Sequence, residues 1–176
     1  MAQFHSIMIQ QAESSSIDSI DLALLEQLQS DSSPSNQDLA AKVHISPATC
    51  LRRVKRLREA GLIEREMAVL NPQRLAAALG HGLEAVVEVS LDRQGHAEQE
   101  AFEQRVVGDA AVQQCYRVSP GPDFILIVYA RDMPDYLALA QRLFTSDANV
   151  RNVKAFFSVK RAKFRPRVPV SKAARG

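Results

Sequence analysis

Hydrophobic residues recur at helical spacing three times in the first third of the chain, and then the period changes. Ile17, Ile20, Leu24, Leu25 and Leu28 mark one face of a helix over residues 17–28. Asp18 stands where a helix cap accepts, Asp21 where a capping-box acid returns the bond, and Ile17 can staple to Leu22. A shorter stripe of Leu39, Ala40 and Val43 predicts a second helix over 35–43, capped by Ser35 or Asn36. The third runs from Ser46 to Gly61. Ser46 can accept from the free amides of its first turn, Pro47 sits where a missing N–H costs nothing, and Gly61 can take the left-handed conformation that ends it.

With successive residues about 100° apart, this third helix places Ala48, Cys50, Leu51, Val54 and Leu57 on one side. Thr49, Arg52 and Arg56 lie opposite, flanked by Arg53. It holds five cations and one carboxylate. A solvated charged face is the ordinary fate of such cations, and Arg56 and Arg58 also oppose the negative end of the helix dipole. The preceding residues favour a different reading. A short helix, the turn His44-Ile45-Ser46 and a second helix with a polar outer face form a helix-turn-helix, whose second helix enters the major groove. The turn lacks glycine, so His44 must supply any positive φ, which His tolerates better than most residues. Ile63–Leu70 has the length and β-branched start of a wing strand, and the winged domain ends near Asn71-Pro72.

Beyond a short helix from Pro72 to about Leu79, the pattern predicts strand 83–91, helix 96–107, strands 112–119 and 123–131, helix 134–145 and strand 150–163. This βαββαβ order builds a four-stranded antiparallel sheet with two helices on one face, the ferredoxin-like arrangement, so the chain is α+β. Phe124–Ala130 is apolar on both faces, while two helices cover only one. The second face needs a cover, and a partner sheet from another copy is the simplest, which predicts a homodimer. Two cationic helices related by a two-fold axis would then read paired half-sites.

At 176 residues and 46% hydrophobic, the chain can hold two small domains, each with a modest core. A net charge of +2 makes attraction to DNA depend on local clusters, of which the third helix is one. Cys50 and Cys115 fall in different domains without metal-ligand spacing, which points to small packing groups in a reducing cytosol, with no metal and no cofactor. No apolar run approaches membrane-spanning length, and residues 1–16 lack the apolar core of a signal peptide, so a cytoplasmic, nucleoid-associated protein is expected. Those first residues, rich in Gln and Ser, read as a flexible extension, with contact by His5 or Met8 to a partner subunit or DNA as the alternative. From Ala148 onward there is no acid, while Arg151, Lys154, Lys160, Arg161, Lys163, Arg165, Arg167, Lys172 and Arg175 accumulate. The part after Phe164 should be extended or disordered, touching wrapped DNA or simply solvated.

The run Ile17-Asp18, Asp21, Leu24-Leu25, Leu28-Gln29, Asp31, Asn36, Leu39-Ala40, Val43, Ile45-Ser46-Pro47, Arg53-Val54, Arg56-Leu57, Gly61-Leu62-Ile63 and Ala68–Asn71 resembles the DNA-binding domain of the Lrp/AsnC (leucine-responsive regulator) family. The resemblance extends from residue 17 to about 165. It implies an N-terminal winged helix-turn-helix domain joined to a C-terminal ferredoxin-like domain, of the type called RAM, that mediates dimers and octamers and binds amino-acid effectors between dimers. The corresponding divisions are an extension over 1–16, the DNA-binding domain over 17–72, a linker helix and hinge over 73–82, the oligomerisation and effector domain over 83–163 and a basic tail over 164–176.

On this reading Ser46 and Pro47 set the helix start against backbone phosphate, Thr49, Arg52, Arg53 and Arg56 face the groove, and Lys55 contacts phosphate. The segment 115–124 resembles the family's effector loop, matching it at Ser119, Asp123 and Phe124. Pro120 takes the usual glycine position and Gly121 lies one place later, so the loop must turn differently. By the same resemblance, Asp123, Met133, Phe156, Phe157 and Ser158 align with positions that influence effector response. Ala155 lacks the family's usual hydroxyl, which favours a bulky apolar or aromatic amino acid over a polar one. Packing and turn roles compete at each of these positions.

The expected function is a sequence-specific DNA-binding transcription regulator, not an enzyme, responsive to an amino acid or related small effector at the oligomer interface. Two alternatives remain. One is an architectural protein that wraps DNA without an effector, a reading the altered loop supports. The other is a tetrapyrrole decarboxylase related by fold, which the scatter of His5, His44, His81 and His96 disfavours because no acid/base cluster emerges.

Overall fold

A computed structural model describes residues 17–80 and 82–170. The expectations for residues 1–16, His81, Lys172 and Arg175 lie outside the described residues. The chain divides into two compact units, one running to Ala68 and including the residues from Phe164, the other spanning Val69–Lys163.

The first unit is built on three helices, α1 (Ser19–Ser30), α2 (Asn36–Lys42) and α3 (Pro47–Glu59). At the start of α1 the capping box forms in both directions: the Asp21 amide donates to Asp18 Oδ1 at 2.9 Å and the Asp18 amide to Asp21 Oδ2 at 3.1 Å. Ser35 caps α2 through the Asp38 amide at 3.2 Å. His44 takes φ 55° in the turn, the left-handed conformation demanded of it. Leu24, Leu39, Ala40, Cys50, Val54 and Leu57 form the core, with Ile20, Leu25, Leu28, Val43, Ile45 and Ile63 packed around it.

Two expectations fail here. Leu51, assigned to the inner face, is 60% exposed, and Ala48 is exposed as well. The buried stripe of α3 is Cys50, Val54 and Leu57, and Leu51 lies about 100° around the helix from its centre. The segment 63–70 forms no strand with the rest of the described chain, leaving Met67, Val69 and Leu70 exposed. An extended segment becomes a strand only when a neighbour completes its ladder.

The second unit begins with α4 (Pro72–Leu79), ended by Gly80 at φ 73°. Then come β1 (Leu83–Leu91), α5 (His96–Val107), β2 (Val112–Arg117), β3 (Phe124–Ala130), α6 (Met133–Ala140) with a π-helical turn over Gln141–Thr145, and β4 (Val150–Phe157). The strands make an antiparallel sheet in the order β2-β3-β1-β4. Val87, Val89, Leu91, Phe124, Leu126 and Val128 point from one face into a core closed by Phe102, Val106, Tyr136, Leu139, Leu143 and Phe144. Phe102 and Phe124 pack with ring centres 4.7 Å apart. On β3, Ile125, Ile127 and Tyr129 alternate onto the opposite face and are only partly buried.

The last strand is shorter than the expected 150–163. Phe157 pairs with Ala85 near the beginning of β1, and the Ser158 amide donates to the Glu84 carbonyl at 2.8 Å. Past that point β1 offers no further ladder. The chain continues extended, and within the first unit Val168 exchanges two 2.9 Å hydrogen bonds with the Gln29 side chain, while Arg167 pairs with Glu26. The described part of the basic tail is therefore tied to α1 rather than free.

Candidate nucleic-acid and effector sites

The start of α3 is organised as the sequence requires. Ser46 Oγ accepts from the Thr49 amide at 3.2 Å and donates to Thr49 Oγ1 at 2.9 Å. The Pro47 carbonyl accepts from Asn36 Nδ2 at 2.8 Å, which ties the two helices together across the turn. Ser46 and Pro47 are exposed and Thr49 is half-buried, so the bonded Ser46 and Thr49 hydroxyls lie at the surface end of the helix.

The cations behind it differ from one another. Arg52 is exposed and, among the described residues, has no ion-pair partner. Lys55 is exposed and sits 3.7 Å from Glu59, a surface pair of small energetic weight. Arg58 bonds Glu66 at 2.5 Å. Arg53 and Arg56, expected to face outward, turn toward α1: Arg53 Nη1 donates to Asp18 Oδ2 at 2.7 Å and to Asp21 Oδ1 at 2.9 Å, and Arg56 Nη2 donates to Asp21 Oδ2 at 2.5 Å. The Asp21 side chain is fully buried, that of Arg53 20% exposed and that of Arg56 39% exposed. The Asp21 amide, followed by the Arg53 guanidinium, holds the Asp18 carboxyl below its ordinary range. The two carboxylates in turn raise Arg53. Arg52, Arg53 and Arg56 line an open hollow of about 220 Å³.

From the sequence, Asp18 and Asp21 read only as capping residues. The signal for their second role was present: Asp21 falls within the apolar stripe of α1, four residues after Ile17 and three before Leu24. A carboxylate at a core-facing position demands a cationic partner.

The residues expected around an effector divide into two groups. Ser119, Gly121 and Asp123 lie where β2 turns into β3, with Gly121 at φ 128°, so the left-handed turn falls one place after Pro120. Asp123 is buried; its carboxylate accepts from the Leu91 amide at 2.7 Å and from Gln94 Nε2 at 3.2 Å, and its own amide donates to the Val89 carbonyl at 2.9 Å. It thus fastens the loop to the end of β1, and Gln94 is a partner that the sequence did not reveal. Met133, Phe156, Phe157 and Ser158 sit at the other end of the sheet. Phe124 pairs with Val89 but Phe156 with Val86, three residues or roughly 10 Å away along β1. Phe156 and Met133 are 54% and 43% exposed, and Phe157 packs edge-on against Tyr136 at 4.9 Å. One chain does not bring the two groups together.

Burial pushes both the Cys50 and the Cys115 thiol up, which disfavours the nucleophilic thiolate. Among the described residues no group of three or more His, Cys, Asp or Glu is placed to hold a metal, and no helix is long and apolar enough to cross a membrane.

Comparison with known proteins decides what this pair of units is. Residues 17–64 match the model of a winged helix-turn-helix DNA-binding domain, and residues 84–168 that of the Lrp/AsnC ligand binding domain. A leucine-responsive regulatory protein from Rhizobium meliloti is 35% identical over 84% of this chain and 92% of its own. The chain belongs to the Lrp/AsnC family. This Lrp/AsnC protein is also 33% identical to the Bkd operon transcriptional regulator of Pseudomonas aeruginosa, over 88% of this chain and 98% of that one. In structure it is similar to a Neisseria meningitidis transcriptional regulator solved with L-Met, at a TM-score of 0.77 and 27% identity, covering 88% of this chain and 97% of that one. Family membership makes it a DNA-binding transcriptional regulator with an effector-binding domain, and not an enzyme.

Proposed function

We propose that this Lrp/AsnC regulator binds operator DNA as a homodimer through α3, and that an amino acid or related small molecule bound between copies alters its affinity or assembly. The observation that carries the DNA half is the surface of α3, where a hydroxyl-capped N-terminus adjoins a hollow lined by Arg53, Arg56 and Arg52, the last with no ion-pair partner among the described residues. On this reading Ser46 and Pro47 meet backbone phosphate, Thr49, Arg52, Arg53 and Arg56 approach the groove, and Lys55 adds a phosphate contact.

Two features support pairing of copies. The apolar sheet face bearing Ile125, Ile127 and Tyr129 is only half-buried, and among the described residues the segment 63–70 is extended without a partner strand. Further association to an octamer follows the family pattern. The separation of Ser119, Gly121 and Asp123 from Met133, Phe156, Phe157 and Ser158 supports an effector site closed by residues of more than one copy. The Neisseria relative's complex with L-Met, together with the exposed Phe156, favours an apolar amino acid as effector. The protein is then cytoplasmic and associated with the nucleoid.

Footprinting on the DNA flanking the protein's own gene, repeated with each amino acid, tests this. The proposal expects protection of paired half-sites one helical turn or a multiple apart, changed by at least one apolar amino acid. Uniform protection unaffected by any amino acid would favour architectural wrapping instead.

A further inference from the structure

Three guanidiniums line the hollow on α3, yet two of them are bonded to carboxylates of α1 and its cap. Asp21 contacts both Arg53 and Arg56 from a fully buried position, and Asp18 adds a second bond to Arg53. Counting Arg52, Arg53 and Arg56 against Asp18 and Asp21, the local formal charge is +1 rather than +3. A guanidinium has five N–H donors, so bonding Asp21 through Nη2 leaves Arg56 with donors to offer on its exposed side. The same ion pairs fix the direction in which those donors point.

We propose that Asp21 is a specificity-determining positioning residue for DNA recognition, orienting Arg53 and Arg56 as hydrogen-bonding groups while cancelling the charge that would make them bind any phosphate. This rests on the assignment of α3 as the helix that meets DNA. Sequence-independent affinity arises from counterions released as cations neutralise phosphates, with a slope of about −0.9 in log K against log salt per cation. A guanidinium already neutralised by a buried carboxylate releases fewer. Asp21 thereby lowers binding to random DNA more than binding to a site whose groups match the fixed donors. Asp18, half-exposed and paired with Arg53 but not with Arg56, has the same effect to a smaller extent.

The test uses the full chain and two duplexes, one selected from random sequence by the wild-type protein and one scrambled, each titrated over a salt series. Asp21→Asn keeps the side chain's shape and its acceptor for the Asp18 amide while removing the charge. It is expected to steepen the salt slope on the scrambled duplex by about one to two units, to tighten that binding roughly eightfold per freed cation at 0.1 M salt, and to shrink the ratio of selected to scrambled affinity. Asp18→Asn retains a good helix cap and should shift all three quantities in the same direction by less. If Asp21→Asn fails to fold by circular dichroism, Asp18→Asn decides the matter. Wild-type slope and ratio in the folded variants, or a larger ratio, would overturn the proposal. Arg52→Ala is the control for the underlying assignment: if it leaves binding to both duplexes unchanged, α3 is not the DNA-contacting helix and that reading fails by itself.

Discussion

The buried carboxylate of Asp21 on α1 accepts a 2.5 Å hydrogen bond from Arg56 on α3, joining the first helix of the DNA-binding unit to the second helix of its helix-turn-helix. Arg53 bonds the same carboxylate from one turn earlier, so Asp21 lies between two guanidiniums. The cationic face of α3 is therefore divided. Arg52 is exposed and has no ion-pair partner among the described residues, whereas Arg53 and Arg56 serve the fold as well as the surface.

Leu51 and Leu57 provide a simple check on the orientation of α3. Leu57 is 2% exposed and Leu51 60%. Leu57→Ala should cost about 2–5 kcal/mol of stability through lost burial and the cavity left behind. Leu51→Ala should cost less than about 0.5 kcal/mol. Urea denaturation of the two variants measures both.

Acid should weaken the first unit in a defined direction. The Asp21 amide and Arg53 depress the Asp18 carboxyl below its ordinary value of 3.8, so its contribution is fully present above that value and is lost as pH falls through the lower, folded-state value. Stability should thus begin to fall below about pH 4, and Asp18→Asn should flatten that decline. Asp31, depressed by the Ser33 hydroxyl and amide, keeps part of the slope in place. Thermal melts between neutral pH and the acid range give the comparison.

The tail contributes to the unit it is tied to. Ending the chain after Lys163 removes the paired bonds of Val168 with Gln29 and the Arg167–Glu26 ion pair. Because these contacts are exposed, the loss should be about 1 kcal/mol in the first unit, with the second unit unchanged. Hydrogen exchange resolved by segment distinguishes the two.

The half-buried apolar face of the sheet predicts association. Ile127 alternates away from the core formed by Leu126 and Val128, and Ile127→Asp places a charge where a partner sheet would pack. Sedimentation velocity should show the wild-type chain at twice its monomer mass or more and this variant at lower mass. Identical distributions would mean that another surface joins the copies.

Much of this molecule is legible in the residue pattern because the pattern is local. The limits of β1 and α5, the caps by Ser35 and Ser46 and the left-handed His44 follow from periodicity and helix-end chemistry. What escaped depends on neighbours distant in sequence. The end of β4 is set by where β1 begins, the π-helical turn at Gln141–Thr145 interrupts a helix expected to be continuous, and the segment 63–70 has no ladder partner among the described residues. The candidate sites divide in the same way. Helical spacing located the cations of α3, but only the approach of α1 revealed that two of them are engaged, and only the sheet register separated Asp123 from Phe156.

The proposed reading of DNA by α3 through Arg52 is tested most directly by an equilibrium titration of wild-type and Arg52→Ala protein against the selected duplex at fixed salt. Because Arg52 is exposed and unpaired among the described residues, the substitution should leave the melting temperature unchanged and weaken binding by about 1–3 kcal/mol. Unchanged affinity in the folded variant would contradict the account.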